Sequence, residues 1–397
     1  MEKLKILHLK GETKEPVFNL KYGKQLQWEK LYKNNTIYEK ITNCKNKIDE
    51  LNPSSCWDRG KKINNEYELI HLPNKRVRAD SISLYEPLSR SYFKMWELLH
   101  EFPIQKLHEN EKINVLGIAE GPGGFLEAIH NFRKKYNPNI LDNIIGVTLR
   151  SDNNDIPGWK KAKRFLETNK NISIDYGIDN TGNIYHIENI RYFHKKWGGK
   201  IHIVTADGGF DFSDDFNHQE QKSYHIIFCE IVLAMSCLEN GGNFICKIFD
   251  IFSKTTATLI QLLCYHFEDV YITKPYTSRP CNSEKYIICK NFKGIDSLFL
   301  EKCFIVISLW KQIDNTGSFV NRIFSESYEN MDQVIVKNLY MYMKDSIDIQ
   351  IKNIQKTLKS IEKRNHSNYL VSIQKERALQ WCTKYGIEIN KNSKFLL

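Results

Sequence analysis

Residues 113–135, INVLGIAEGPGGFLEAIHNFRKK, carry the pattern that decides the fold of this 397-residue chain. The apolar run Ile113 to Ala119 predicts a strand. Glu120, Gly121, Pro122, Gly123 and Gly124 follow, and glycines there let the backbone turn tightly and come close to a ligand. From Gly123 to Lys135 the apolar residues return at helical spacing. A strand, a glycine turn and a helix in this order form a unit of a layered α/β fold, with the free amides of the helix N-terminus available to a bound group.

The alternation extends in both directions. Ser89 to Glu101 has helical periodicity through Tyr92, Met95, Trp96 and Leu99. Strands are expected at Asn143–Leu149, Ile172–Tyr176, Lys200–Ala206 and Phe244–Phe249, and helices at Ile187–Lys196, Gln219–Glu239 and Thr256–Phe267. Val270–Thr273 and Lys285–Lys290 close the series as two strands with no helix between them, which reads as a hairpin-like antiparallel edge. The pattern predicts a Rossmann-like α/β sheet with helices on both faces over residues 85–299. A basic N-terminal extension, residues 1–84, precedes it, with a short strand or a helix near Lys24–Lys33 as its only readable element. A helical C-terminal module, residues 300–397, follows: Ile335, Leu339, Tyr342, Ile351, Ile354, Leu358 and Ile361 recur at three- and four-residue spacing. Its second helix runs from about Tyr369 to Tyr385, with Gly386 as the stop.

Composition narrows the classes. No apolar run approaches the roughly 18 residues of a membrane span, and the start of the chain lacks the apolar core of a signal peptide. A soluble, intracellular protein is expected. The ten cysteines form neither a Cys-x-x-Cys pair nor a cluster at zinc spacing, so neither a disulfide framework nor a metal site is expected. The net charge of +10 is uneven: residues 1–80 carry +6, residues 301–397 carry +5, and the middle carries −1. Basic flanks on a neutral core suit a polyanionic partner; ordinary solvated lysines also account for them.

The glycine turn matches neither Gly-x-Gly-x-x-Gly nor the phosphate loop with Gly-Lys-Ser/Thr. No basic residue stands where a triphosphate would need one. This disfavours a kinase or ATPase and fits a less anionic nucleoside such as S-adenosylmethionine; a plain strand–helix turn also satisfies the pattern.

Four charged residues then stand out. Lys247 interrupts the apolar run Phe244–Phe249, where an ammonium either reaches out at the strand end or does chemistry. Asp207, followed by Gly208 and Gly209, ends the neighbouring strand, and ligands of open α/β sheets bind at such carboxyl ends. Glu284 opens the last strand, and Lys94 lies on the helix before the sheet. Each has a plain reading, as a solvent-facing lysine, a helix cap or a strand-edge charge.

Five stretches together carry a resemblance: Ser89-Arg90-Ser91-Tyr92-Phe93-Lys94, Gly121-Pro122-Gly123-Gly124-Phe125, Ala206-Asp207-Gly208-Gly209, Cys246-Lys247 and Ser283-Glu284-Lys285-Tyr286. Over about residues 85–292 the chain resembles the FtsJ/RrmJ-type RNA 2′-O-methyltransferases, nearest to the cap-specific enzymes that act on the first transcribed nucleotide. The resemblance implies a Rossmann-like methyltransferase sheet, S-adenosylmethionine as methyl donor, and a Lys-Asp-Lys-Glu tetrad at Lys94, Asp207, Lys247 and Glu284. It implies cofactor contacts from Ala119, Glu120, Gly121, Pro122, Gly123, Gly124, Phe125, Asn183, Ile184 and Asp207, and substrate contacts from Ser89, Arg90 and Asn282. Lys247 would be the general base, its pKa lowered by burial and by Lys94. Lys94 would stabilise the alkoxide, Glu284 would position the lysines, and Asp207 would orient them and support the cationic donor. RNA, in particular a capped mRNA 5′ end, is the implied partner, with other capping or transcription proteins beside it. The location would be cytoplasmic or nuclear, or virion and host cytoplasm for a viral chain. Structural-RNA methylation and a non-catalytic RNA-binding subunit of a capping assembly are the alternatives. The sequence does not say which aromatic residues grip the cap; Phe210, Phe212 and Trp159 are loop candidates. Gly117, Glu120 and Asn183 depart from the family, which has an aspartate, a small residue and an aspartate there.

Overall fold

The computed structural model describes residues 4–396 except 11–12, 33–35, 52–54, 73–79, 152–157, 210–216 and 364–367. Its ten strands among the described residues are β1 (Ile6–Lys10), β2 (Phe18–Gly23), β3 (Asn114–Ile118), β4 (Asn143–Val147), β5 (Ile172–Ile174), β6 (Ile201–Ala206), β7 (Leu238–Ile248), β8 (Phe267–Thr273), β9 (Lys285–Phe292) and β10 (Phe319–Phe324). The helices are α1 (Thr36–Asp49), α2 (Ser55–Ile63), α3 (Ser91–Glu101), α4 (Gly124–Tyr136), α5 (Lys163–Thr168), α6 (Ile187–Trp197), α7 (Gln219–Cys237), α8 (Lys254–His266), α9 (Ser297–Asn315), α10 (Gln333–Glu362) and α11 (Asn368–Lys384).

Eight strands form one sheet in the order β1-β8-β9-β7-β6-β3-β4-β5. The central strands are almost wholly apolar because both faces are covered, as a parallel sheet requires. Side chains of α6 to α10 pack on one face, and those of α3, α4 and α11 on the other. The Rossmann-like α/β reading of the core holds, and every core strand and helix expected from the sequence is present.

β8 and β9 pair antiparallel, as the hairpin-like reading expects, and β9 also pairs antiparallel with β7. Three features of the periphery differ from expectation. The outer side of β8 is covered by β1, with Ile6 opposite Thr273 and Lys10 opposite Asp269. The C-terminal stretch is not purely helical: β10 lies between α9 and α10 and pairs with β2. Among the described residues of 24–33 there is neither a helix nor a strand, only an isolated bridge from Lys30 to Ser253, and the first helix begins at Thr36. The two flanks therefore join: besides these strands, Gly60 of α2 leaves room for Ile361 and Thr357 of α10.

Among the described residues no helix is long and apolar enough to cross a membrane. None of their histidine, cysteine or carboxylate side chains cluster in a way that could hold a metal ion.

Candidate active site

Strand register brings the charged residues to one place. Ile118 of β3 faces Ala206 of β6, so the glycine turn and Asp207 leave the sheet side by side. Cys246 of β7 also faces Ala206, which sets Lys247 one step beyond. Because β9 is antiparallel to β7, with Ile248 opposite Lys285, Glu284 enters the same end from the other direction. α3 carries Lys94 across to it.

The contacts are direct. Lys247 Nζ lies 3.1 Å from Asp207 Oδ1 and donates to the Asp207 backbone carbonyl at 2.9 Å. Lys94 Nζ donates to Glu284 Oε2 at 2.8 Å. The Tyr286 hydroxyl, wholly buried, donates to Asp207 Oδ1 at 3.4 Å, and its ring lies 6.0 Å from Lys94 Nζ. All four tetrad side chains are mostly buried yet reach the surface, at 13–17% exposure. The pair of glycines after Asp207 has a steric reason. A Cβ at Gly209 would stand 2.9 Å from Lys247 Nζ, and one at Gly208 would overlap Glu230.

The charge balance differs from the expectation for Lys247. Burial pulls its pKa down, but the Asp207 and Glu284 carboxylates outweigh burial and leave it raised. Burial pushes the Glu284 acid up, and the Lys94, Lys247 and Lys274 cations reverse this and hold it well below the usual carboxylate range. Both carboxylates favour the protonated form of Lys247, whose nitrogen contacts Asp207.

The expected cofactor loop is a tight turn. Ala119 has φ +54° and Gly123 φ +101°. A Cβ at Gly123 would overlap the Trp159 ring, and one at Gly124 would overlap the Ser89 and Ser91 hydroxyls. Ser89 Oγ and Ser91 Oγ lie 2.5 Å apart, so Ser89 supports the loop at the start of α3. Glu120 is buried and bonded to Thr205 Oγ1. Burial, then Asp207 and Glu230 nearby, raise its acid well above the ordinary value. Phe125 and Ile184 are buried core side chains rather than site walls; the Phe125 ring packs against Tyr286, 5.8 Å between centroids. Asn183 lies in the turn between β5 and α6, which is tied to the segment after β4 because Thr181 O accepts from Arg150 N at 2.7 Å, and Asn183 Oδ1 accepts from Tyr185 N at 2.9 Å.

Arg90 and Trp159 need correction. The Arg90 guanidinium points into the protein and donates to the carbonyls of Tyr67, His71 and Glu68, so it clamps the N-terminal segment and does not face a substrate. Trp159 is buried beneath Gly123 and Gly146 and offers no stacking face. Phe210 and Phe212 lie outside the described residues. Asn282 is exposed at the mouth of the site, and its carbonyl accepts from Lys274.

Three residues missing from the expected set support the tetrad. Lys274 Nζ donates to Ser278 Oγ and to the carbonyls of Asn282 and Glu284, tying the loop that delivers Glu284. Burial lowers its pKa to about 7. Glu97, one turn beyond Lys94 on α3, accepts from Tyr276 N, Thr277 N and Trp381 Nε1, so α3, that loop and α11 meet on one carboxyl. Glu230 is the third. Glu97 and Glu230 shared one visible signal: a lone acid inside an apolar helical run.

A family model of FtsJ-like methyltransferases matches residues 87–292. The cap-specific mRNA (nucleoside-2′-O-)-methyltransferase 1 of Homo sapiens is 33% identical over 266 residues, which are 64% of this chain and 30% of that protein. The protein of the same name in Dictyostelium discoideum is 37% identical over 191 residues, 44% of this chain and 25% of its own length. Among solved structures, a ribosomal RNA methyltransferase from Plasmodium falciparum aligns at 23% identity and TM-score 0.36, over 52% of this chain and 99% of its own. The chain thus spans less than a third of the length of these cap-specific relatives.

Proposed function

Since the chain belongs to the FtsJ-like methyltransferase family, we propose that it transfers a methyl group from S-adenosylmethionine to a ribose 2′-hydroxyl of RNA, and that the acceptor is the first transcribed nucleotide of capped mRNA. The observation that carries this reading is the joining of Lys94, Asp207, Lys247 and Glu284 at the carboxyl ends of β6 and β7 and the start of β9. The cap-specific relatives give the reading its finer half.

The residues fit the methyl donor. Residues 119–125 contain no basic side chain, which suits a nucleoside without phosphates, and the partly exposed Asp207 carboxylate suits a cationic sulfonium. When bound, S-adenosylmethionine supplies an electrophilic methyl group. Lys247 Nζ, once neutral, takes the proton of the 2′-hydroxyl. The Lys94 ammonium, held by Glu284, stabilises the negative charge that develops on that oxygen. Asp207 holds Lys247 in place through its carboxylate and its carbonyl. A cavity of about 320 Å³ opens beside this site, lined by Tyr67, Tyr276, Lys274, Asn282 and Gln350. Rings and amides together suit a nucleobase of the RNA end.

The test is methyl transfer to a short RNA with and without a cap, followed by digestion to locate the label. The expected result is label on the 2′-oxygen of the first nucleotide of capped RNA and at least about tenfold less on uncapped RNA. Equal transfer to both would replace the cap reading with methylation of structural RNA; no transfer to either would leave an RNA-binding role.

A further inference from the structure

Glu230 stands in the middle of α7, inside the apolar run Ile226–Ala234, and none of it is exposed. Its carboxyl touches the ends of both central strands. Oε1 accepts the Gly208 N–H at 3.0 Å, and Oε2 accepts the Cys246 thiol at 3.6 Å. Gly208 follows Asp207 and Cys246 precedes Lys247. The Gly208 N–H and the Asp207 carbonyl belong to one peptide group, which is planar and rigid. That carbonyl accepts from Lys247 Nζ at 2.9 Å. One rigid plane therefore has Glu230 on one edge and Lys247 on the other.

The direction of the lysine nitrogen follows from this plane. A neutral lysine has two N–H bonds and one lone pair. Asp207 Oδ1, at 3.1 Å, and Asp207 O, at 2.9 Å, can take both hydrogens, which leaves the lone pair turned away from Asp207. Tilting the 207–208 peptide would move one of these two acceptors and turn the lone pair with it.

We propose that Glu230 is a positioning residue for Lys247: by holding the Gly208 N–H it fixes the Asp207 carbonyl, and so the direction from which the Lys247 nitrogen takes a proton. This rests on Lys247 being the general base. Burial raises the Glu230 acid to about 8, with Lys247 pulling it back and Asp207 adding to it.

The experiment compares wild type, Lys247→Ala, Glu230→Met, Glu230→Asp and Glu230→Gln in single-turnover and steady-state methyl transfer to RNA, with thermal melts to confirm folding. Met fills the space without an acceptor, and Asp keeps the acid but withdraws it from Gly208. Both are expected to lower kcat by about 10- to 100-fold, the size of a loss from misplaced catalytic geometry, with KM for RNA and affinity for S-adenosylmethionine within about twofold of wild type. Gln offers an oxygen to the same N–H and is expected to restore kcat to within about threefold. If the Met variant does not fold, the Asp and Gln pair carries the comparison. Wild-type kcat in the Met or Asp variant, with Lys247→Ala inactive, overturns the positioning role, as does a Gln variant as impaired as Asp. An active Lys247→Ala variant instead overturns the reading of the base itself.

Discussion

Lys247→Ala is expected to lower kcat for RNA methylation by at least about 10³-fold, toward the upper range for loss of a general base, while S-adenosylmethionine still binds. The two effects separate because the glycine turn after β3 is built from Ala119, Gly121, Gly123 and Gly124 and does not touch Lys247 in its own contacts. Asp207 would remain at the end of β6, and the Lys94–Glu284 pair would remain intact. What disappears is the Lys247 nitrogen that contacts Asp207. Binding of the methyl donor by calorimetry and transfer of labelled methyl to RNA check the two halves. A variant that keeps more than about a tenth of wild-type kcat would sink the assignment.

The same residue sets the pH dependence. Its pKa is raised in this structure because Asp207 and Glu284 outweigh burial. A raised base is mostly protonated at neutral pH, and its neutral fraction grows tenfold for each unit by which pH rises toward the pKa. The logarithm of kcat/KM should therefore climb with a slope of one as pH rises, and level off at the pKa of Lys247. A cationic sulfonium bound beside Asp207 would oppose the raising effect, so kcat, which reports the loaded enzyme, should level off at lower pH than kcat/KM.

The sequence made the core readable because its elements are long, periodic and close in sequence to their neighbours. Asp207, Lys247 and Glu284 could be placed together because strand ends in such a sheet share one edge. The parts that escaped depend on remote partners. β1 pairs Ile6 with Thr273, and β2 pairs Phe18 with Phe324, so nothing local to either flank announces the match. Arg90 looked like a substrate contact beside Ser89, but its role is set by the Tyr67 and His71 carbonyls that the fold brings to it. The expectation of a lowered Lys247 pKa rests on burial and on Lys94 as a neighbour, and burial does act in that direction. Lys94 is instead engaged with Glu284, while Lys247 faces Asp207. Trp159 is a candidate cap-binding aromatic in the sequence, and its neighbours show why it does not serve as one: Gly123 and Gly146 are both glycine where the ring lies.

That last contact gives the second large effect, which is Gly123→Ala. The backbone there has φ +101°, outside the range that an L side chain adopts readily, and this alone costs about 1–2 kcal/mol. The new methyl group would also overlap the Trp159 ring, which is 5% exposed and is backed by Gly146. The ring has little room to retreat, because a Cβ at Gly146 would already stand 2.7 Å from it. The turn must therefore move instead, and it is tied at both ends: Gly123 N donates to Glu120 O at 2.5 Å, and Gly123 O accepts from Glu127 N at 2.9 Å at the start of α4. The expected outcome is a loss of affinity for S-adenosylmethionine of about 10- to 100-fold, together with a lower melting temperature. Adding Trp159→Ala should recover only part of the affinity, because it removes the overlap and leaves the backbone strain. Full recovery in the double variant would assign the whole effect to the ring, and a single Gly123→Ala variant that binds the methyl donor within about twofold of wild type would show that this turn does not hold it.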